Sequence, residues 1–232
     1  MVDERPVVFV GPSLPRNRPF DEVVLKPPAV YGDFDILLGK PNPIAVFLDG
    51  GFLSKGAVTH FELGNALQNG VRLIGAASAG ALRAAELRSY GMIGVGIAFQ
   101  ALLAGIIVDD SELAVGMCPT TYRALTIPLI NLRRFLFDAL QDGHPQRAVD
   151  EAWRLAAEIY FLARTPAAIS HSWNTPITRD LGAMFKARSM SEWNVKESDT
   201  MAAITYAQKL AAGDVGLQVP VKMNLITNRL PT

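Results

Sequence analysis

The chain has one cysteine in 232 residues, Cys118, so no disulfide can form within it, and a reducing compartment suits it. Between Met117 and Pro119, that cysteine reads as a small buried hydrophobe rather than a nucleophile. Neither charge is in excess: 22 Lys and Arg face 22 Asp and Glu. No Lys/Arg-rich run occurs either, so the electrostatic footprint of a nucleic-acid binder is missing. Long apolar runs are also absent. The most apolar stretch, Ile93 to Val108, is interrupted by Gln100 and three glycines and falls short of the ~20 residues that a membrane span needs. The start, Met1-Val2-Asp3-Glu4, lacks the basic-then-apolar order of a signal peptide. No membrane partner and a cytoplasmic location are expected. There is no internal repeat and no low-complexity segment. Half of the residues are hydrophobic (50%), enough for a substantial core.

The most informative stretch is Val71 to Leu87, VRLIGAASAGALRAAEL. Val71 to Ile74 form a short apolar run, Gly75 to Gly80 are all small around one hydroxyl, and strong helix formers follow from Ala81. The expected geometry is strand, tight turn, helix, with Ser78 at the apex. Ala76-x-Ser78-x-Gly80 approximates the nucleophile elbow, in which small neighbours let a strained turn lift a serine out of the sheet. The amide of Ala79 would then face an oxyanion. A turn that only packs closely, or that binds an anion at the helix N-terminus, fits the same residues.

Two further strands end in the same way. Val7 to Val10 stop at Gly11-Pro12-Ser13, and Ile44 to Leu48 stop at Asp49-Gly50-Gly51, where glycine allows close approach of the backbone to a ligand. Asp21 to Lys26 read as a short strand, Gly32 to Gly39 as a short helix, and Ala57 to Asn69 as a helix ended by Gly70. Strands alternating with helices predict an α/β fold with a parallel sheet and a site at the strand C-termini. Val108 to Glu112 is an acidic turn; its paired aspartates suit a metal or acid/base site, or a turn bonding its own backbone. From Ile127 to Leu140 and Gln146 to Arg164 apolar residues recur at helical spacing, with Trp153, Ile159 and Tyr160 as core anchors. Thr165 to Thr178 read as a loop, and a last helix runs from Ser198 to Ala212. The expected division is an α/β core over 1–125 and a mainly helical C-terminal half over 126–232. No metal or cofactor is called for.

The order of motifs carries more. Phe9-Val-Gly-Pro-Ser-Leu14, Lys26-Pro-Pro-Ala29, Leu48-Asp-Gly-Gly-Phe52, Gly75 to Leu87, Gly91-Met-Ile-Gly-Val-Gly96, and Asp109-Asp110 with Glu112-Leu-Ala-Val115 together resemble the TfuA-like family, over about residues 7 to 135. A shorter match is Lys196-x-x-Asp199. The resemblance implies a component of peptide-backbone thioamidation beside a YcaO-type enzyme, which meets the precursor peptide within that complex. It further implies hydrolysis of the thiocarboxylate on a ubiquitin-like, ThiS-like sulfur carrier at a serine and lysine site. Lys196 is the first choice to activate Ser78, Lys55 and then His60 being the alternatives. Ala79 with Gly11 or Gly51 would donate to the oxyanion. A slot lined by Gly50, Gly51 and Gly75 to Ala77 would admit the carrier's Gly-Gly tail. The chain departs from the family pattern at Phe61, often basic, and at Met117, often histidine. His60 with Glu62 leaves open an activated serine of the usual Ser-His-acid kind. Two other readings stand beside this one: a serine peptidase of the dipeptidase E type, and a module that binds the YcaO-type partner without catalysis.

Overall fold

The computed structural model describes residues 3–14, 20–51, 56–214 and 224–227. Among them, five strands form one parallel sheet in the order β2-β1-β3-β4-β5. These are β1 (Val7–Phe9), β2 (Val24–Lys26), β3 (Ile44–Phe47), β4 (Arg72–Gly75) and β5 (Ile93–Gly94). The central strands β1 and β3 are wholly buried, and the edge strand β2 is partly exposed. This is the continuous apolar pattern of a parallel sheet covered on both faces. Strand order reverses between β1 and β3, and the crevice outside the carboxyl ends of such strands is where open α/β sheets hold ligands.

The helices are α1 (His60–Gln68), α2 (Ala79–Leu87), α3 (Ile97–Leu103), α4 (Leu129–Gln141), α5 (Gln146–Ala157), α6 (Pro166–Ser172), α7 (Arg179–Ala187) and α8 (Val195–Ala211). The α/β architecture is as expected; several boundaries differ for identifiable reasons. The helix anticipated at 32–39 is only a 3-10 turn, Asp35–Leu37, because Leu38 turns extended and Gly39 adopts φ +76°. The loop anticipated at 165–178 holds α6, which starts where Thr165 accepts from the Ala168 amide and Pro166 occupies the first turn. Those are the two ordinary helix-start devices. Tyr160 is exposed rather than a core anchor, since α5 ends at Ala157 and a 3-10 turn follows.

The contacts divide the chain into two compact units, Met1–Leu103 with Lys196–Val221, and Ala104–Val195 with Lys222–Thr232. The chain passes between these units after 103, 195 and 221, where the sequence suggests one division after 125. In the first unit Val8, Val46 and Ile74 of the sheet pack with Ala203, Ile204 and Ala207 of α8. The second unit is centred on Phe135, whose ring meets those of Trp173, Phe185 and Trp193.

Within the first unit α2 lies against the sheet at a distance only glycine permits. A Cβ on Gly80 would sit 1.7 Å from the Phe47 carbonyl oxygen, and one on Gly75 would sit 2.1 Å from that of Gly80. Gly80→Ala is therefore expected to lower stability by about 2–4 kcal/mol through forced backbone shifts. Gly105→Ala, where nothing lies within 4 Å and only φ +66° opposes the substitution, should cost about 1 kcal/mol. Denaturant midpoints of the two variants measure the difference; equal losses would refute the close approach.

Candidate functional site

The junctions after β1, β3 and β4 meet at one end of the sheet. Ala76 donates its amide to the Phe47 carbonyl (3.2 Å), Gly80 donates to Leu48 (3.2 Å), and Asp49 donates to Phe9 (3.3 Å). After β4 the chain reverses within three residues. Ser78 N–H donates to the Ala76 carbonyl at 2.7 Å, with Ala77 between them at φ +62°. This is the rare, strained hand of the γ-turn. Ala77 is fully buried and Ser78 is 5% exposed. The strain of the elbow thus resides one residue before the serine. Ser78 precedes α2 without capping it, which leaves its hydroxyl for another partner.

That partner is Lys196, whose Nζ donates to Ser78 Oγ at 2.8 Å. The α8 helix begins at Val195, three residues earlier than the sequence suggests, so Lys196 lies in its first turn. It is 3% exposed, and burial pushes its pKa down, while Asp49 acts in the opposite sense. Asp49 Oδ1 lies 4.0 Å from Nζ.

Sequence reasoning missed Asp49 as a site residue. Its buried carboxylate accepts from the Gly11 amide (2.8 Å), the Ser13 amide (2.9 Å) and the Ser13 hydroxyl (2.6 Å). The signal was available: a lone acid closing a fully apolar strand, at the strand end where such sheets place their chemistry. The same bonds revise the part assigned to Gly11. Its N–H is directed at Asp49, so it holds the loop after β1 instead of facing an oxyanion. Ala79 N–H, by contrast, donates to no backbone acceptor among the described residues, as befits the first residue of a helix.

One turn after Lys196, Asp199 fixes the helix that carries the lysine. Its buried carboxylate accepts from the amides of Ile97 (2.7 Å) and Ala98 (2.8 Å) at the start of α3. Gly96 leaves the space: a Cβ there would come within 2.3 Å of the Asp199 carboxyl carbon. The short Lys-x-x-Asp match is thus a positioned lysine and its anchor, on one face of a helix.

The remaining candidates lie elsewhere. His60, with 53% of its side chain exposed, pairs with Glu86 (2.7 Å) and Arg83 (3.4 Å) on the helix surface. Glu62 is buried and accepts from the Gly32 and Phe34 amides, a structural tie with no part in a Ser-His-acid set. Lys55 falls outside the described residues. The expected slot is also altered. Gly75 is small because α2 packs on it, and Gly50 because the Phe47 ring and the Ala29 carbonyl lie 3.0–3.2 Å from where its Cβ would be. Ala76 and Ala77 are fully buried, and of the small residues after β3 and β4, Gly50, Gly51 and Ala79 reach the surface.

Of the two departures from the family pattern, Phe61 is exposed and Met117 pairs with Ala124 across a short bridge. Cys118 is partly exposed rather than buried, and its hydrogen bond with the Thr120 hydroxyl pulls the thiol down to about 6. In the acidic turn Asp109 accepts from the Ser111 amide, and no group of three His, Cys, Asp or Glu among the described residues could hold a metal. No helix among them is long and apolar enough to cross a membrane.

A family model described as TfuA-like protein matches residues 49–165, a span that includes Asp49 and the serine turn. No curated protein matches the chain.

Burial raises the Asp199 carboxyl to about 7, outweighing the two amide bonds. Unfolded aspartate titrates near ~3.9, so between those values the folded state holds a proton that the unfolded state has lost. Stability must then fall as pH rises through that window. Relative to the non-titrating Asp199→Asn, the unsubstituted chain should lose stability from about pH 4 to about pH 7, read as urea midpoints. A relative gain over the same range would mean that the amides win over burial.

Proposed function

Since the chain belongs to the TfuA-like family, a membership that ties it in general terms to YcaO-dependent thioamidation, we propose that it is a serine hydrolase releasing sulfide from a thiocarboxylated, ubiquitin-like carrier. The observation that carries this reading is the 2.8 Å hydrogen bond between Lys196 Nζ and Ser78 Oγ in a buried setting. A lysine serves as a general base only if its charged form is destabilised. Burial lowers the pKa of Lys196, and the first-turn position adds the positive end of the helix dipole.

Neutral Lys196 takes the Ser78 proton as Oγ bonds to the thiocarboxylate carbon. Negative charge develops on the oxygen, toward the Ala79 amide. The C–S bond then breaks as the Lys196 ammonium passes that proton to the sulfur, hydrosulfide leaves, and the acyl group stays on Ser78 as an ester while the lysine is neutral again. With Lys196 again as base, water adds to that ester; the C–Oγ bond breaks, Ser78 recovers its proton, and the carrier leaves with an ordinary carboxylate. Asp49, 4.0 Å from Nζ, favours the ammonium formed in each half through its charge. With His60 engaged at the surface, a Ser-Lys pair is better supported than a Ser-His one.

The test is sulfide release from a thiocarboxylated carrier by the purified chain. Ser78→Ala should fold normally and lose at least about a thousandfold in kcat. Lys196→Arg should be nearly as damaging as Lys196→Ala, because guanidinium keeps its proton near neutrality. Asp49→Asn should move the rise of kcat/KM with pH to lower pH, as removing a carboxylate favours the neutral amine. Sulfide release by Ser78→Ala within about threefold of the unsubstituted chain would refute covalent catalysis.

A further inference from the structure

The turn after β1 carries a buried hydroxyl that no step of the proposed reaction uses. Gly11-Pro12-Ser13-Leu14 closes as the Leu14 amide donates to the Gly11 carbonyl at 3.4 Å, and proline at the second position presets such a turn. Leu14 packs with Val8 and Val10 in the core of the sheet-bearing unit. Ser13 is thereby held in place, and it is only 1% exposed.

Asp49 takes three donors from this turn, and it takes them unequally. Oδ2 accepts from the amides of Gly11 (2.8 Å) and Ser13 (2.9 Å), while Oδ1 accepts from the Ser13 hydroxyl at 2.6 Å. Oδ1 is also the oxygen that lies 4.0 Å from Lys196 Nζ. Two amides on Oδ2 do not by themselves fix where Oδ1 points, so the hydroxyl decides it. A short bond from a hydroxyl to a carboxylate is among the strong ones. It draws charge from Oδ1 and keeps that oxygen beyond a good hydrogen bond to the ammonium. Of the carboxylates near Lys196, Asp49 acts on it directly. Asp199, on the same helix, is turned to the amides of α3, and Glu197 beside the lysine is only partly buried.

We propose that Ser13 is a positioning residue for the proton transfer: by holding Asp49 Oδ1 away from Lys196 Nζ, its hydroxyl keeps the lysine able to shed its proton and sets the pH at which Ser78 becomes a nucleophile. The catalytic consequence rests on the hydrolytic reading; the effect on the lysine does not. Without the hydroxyl, a buried carboxylate oxygen lacks its donor, which is costly. The ammonium 4.0 Å away is placed to replace it, and a closer pair favours the charged lysine.

The experiment is an NMR titration of the full chain carrying lysine labelled with carbon-13 at Cε, the Lys196 signal being the one lost in Lys196→Arg, alongside the pH profile of sulfide release. Ser13→Ala should raise the Lys196 titration midpoint. On the rising limb of the profile it should lower kcat/KM by about threefold or more, a loss that shrinks as pH rises. Ser13→Cys, whose thiol is a weak donor, should move both in the same direction by less, and it serves where Ser13→Ala does not fold. In the Asp49→Asn background, Ser13→Ala should leave the midpoint where Asp49→Asn puts it, because no carboxylate remains to be redirected. A Lys196 midpoint unmoved or lower in the Ser13 variants, or moved equally in the Asp49→Asn background, overturns the proposal. Absence of sulfide release from the unsubstituted chain overturns the hydrolytic reading instead, and the midpoints still decide the part played by Ser13.

Discussion

The carboxylate of Asp199 is the contact on which the site depends. It joins residues about a hundred positions apart, accepting from the first amides of α3 and so fixing α8 within the sheet-bearing unit. Without it, the first turn of α8, which carries Lys196, would lose its bonds to α3, and the packing of Ala203, Ile204 and Ala207 would act only further along the helix. With it, Nζ is delivered to a hydroxyl 118 residues away. Gly96 is required by the same contact for two independent reasons, the space that Asp199 occupies and a backbone at φ +98°. An alanine there would meet both obstacles.

Burying a lysine beside a serine is unfavourable unless something offsets the desolvation, and the offset here is partial by construction. Asp49 is close enough to be felt by the ammonium, yet at 4.0 Å it is beyond a good hydrogen bond. Its oxygens are directed instead at Gly11 and Ser13. A tighter pair would hold the lysine charged, and an absent acid would leave the transient ammonium unsupported. The arrangement leaves the lysine able to gain and lose a proton, as a general base requires.

How far all this could be read from the sequence depends on whether the cause was local. Strand, turn and helix at 71–87 follow from residue types within one window, and the parallel sheet follows from apolar runs that alternate with helices. Asp49 was overlooked because its partners, Gly11 and Ser13, lie nearly forty residues away, and its place at the end of an apolar strand is the one local cue. Gly11 was misassigned for the same reason, since its amide looks available until Asp49 is brought to it. The helix α6 was lost because two prolines in 165–178 resemble a linker, although Pro166 at a first turn favours a helix. Lys196 was found through a short motif, while its depressed pKa follows from burial that only the fold provides.

The small residues around Ser78 invite the idea of an open slot, and the packing argues otherwise. Gly75 and Gly80 let α2 approach β3 and β4 until backbone meets backbone, and Ala76 and Ala77 are buried beneath the turn. These residues are small so that the γ-turn can form at all, because any larger side chain would separate helix from sheet and withdraw the hydroxyl from Lys196. On the proposed hydrolytic reading, selection of a substrate would come from the residues that reach the surface there, Ala79 and Gly51 among them. One offers a backbone donor and the other a position without a side chain. On that reading the site would discriminate by the thinness of the chain it admits and the carbonyl it can polarise, not by side-chain recognition.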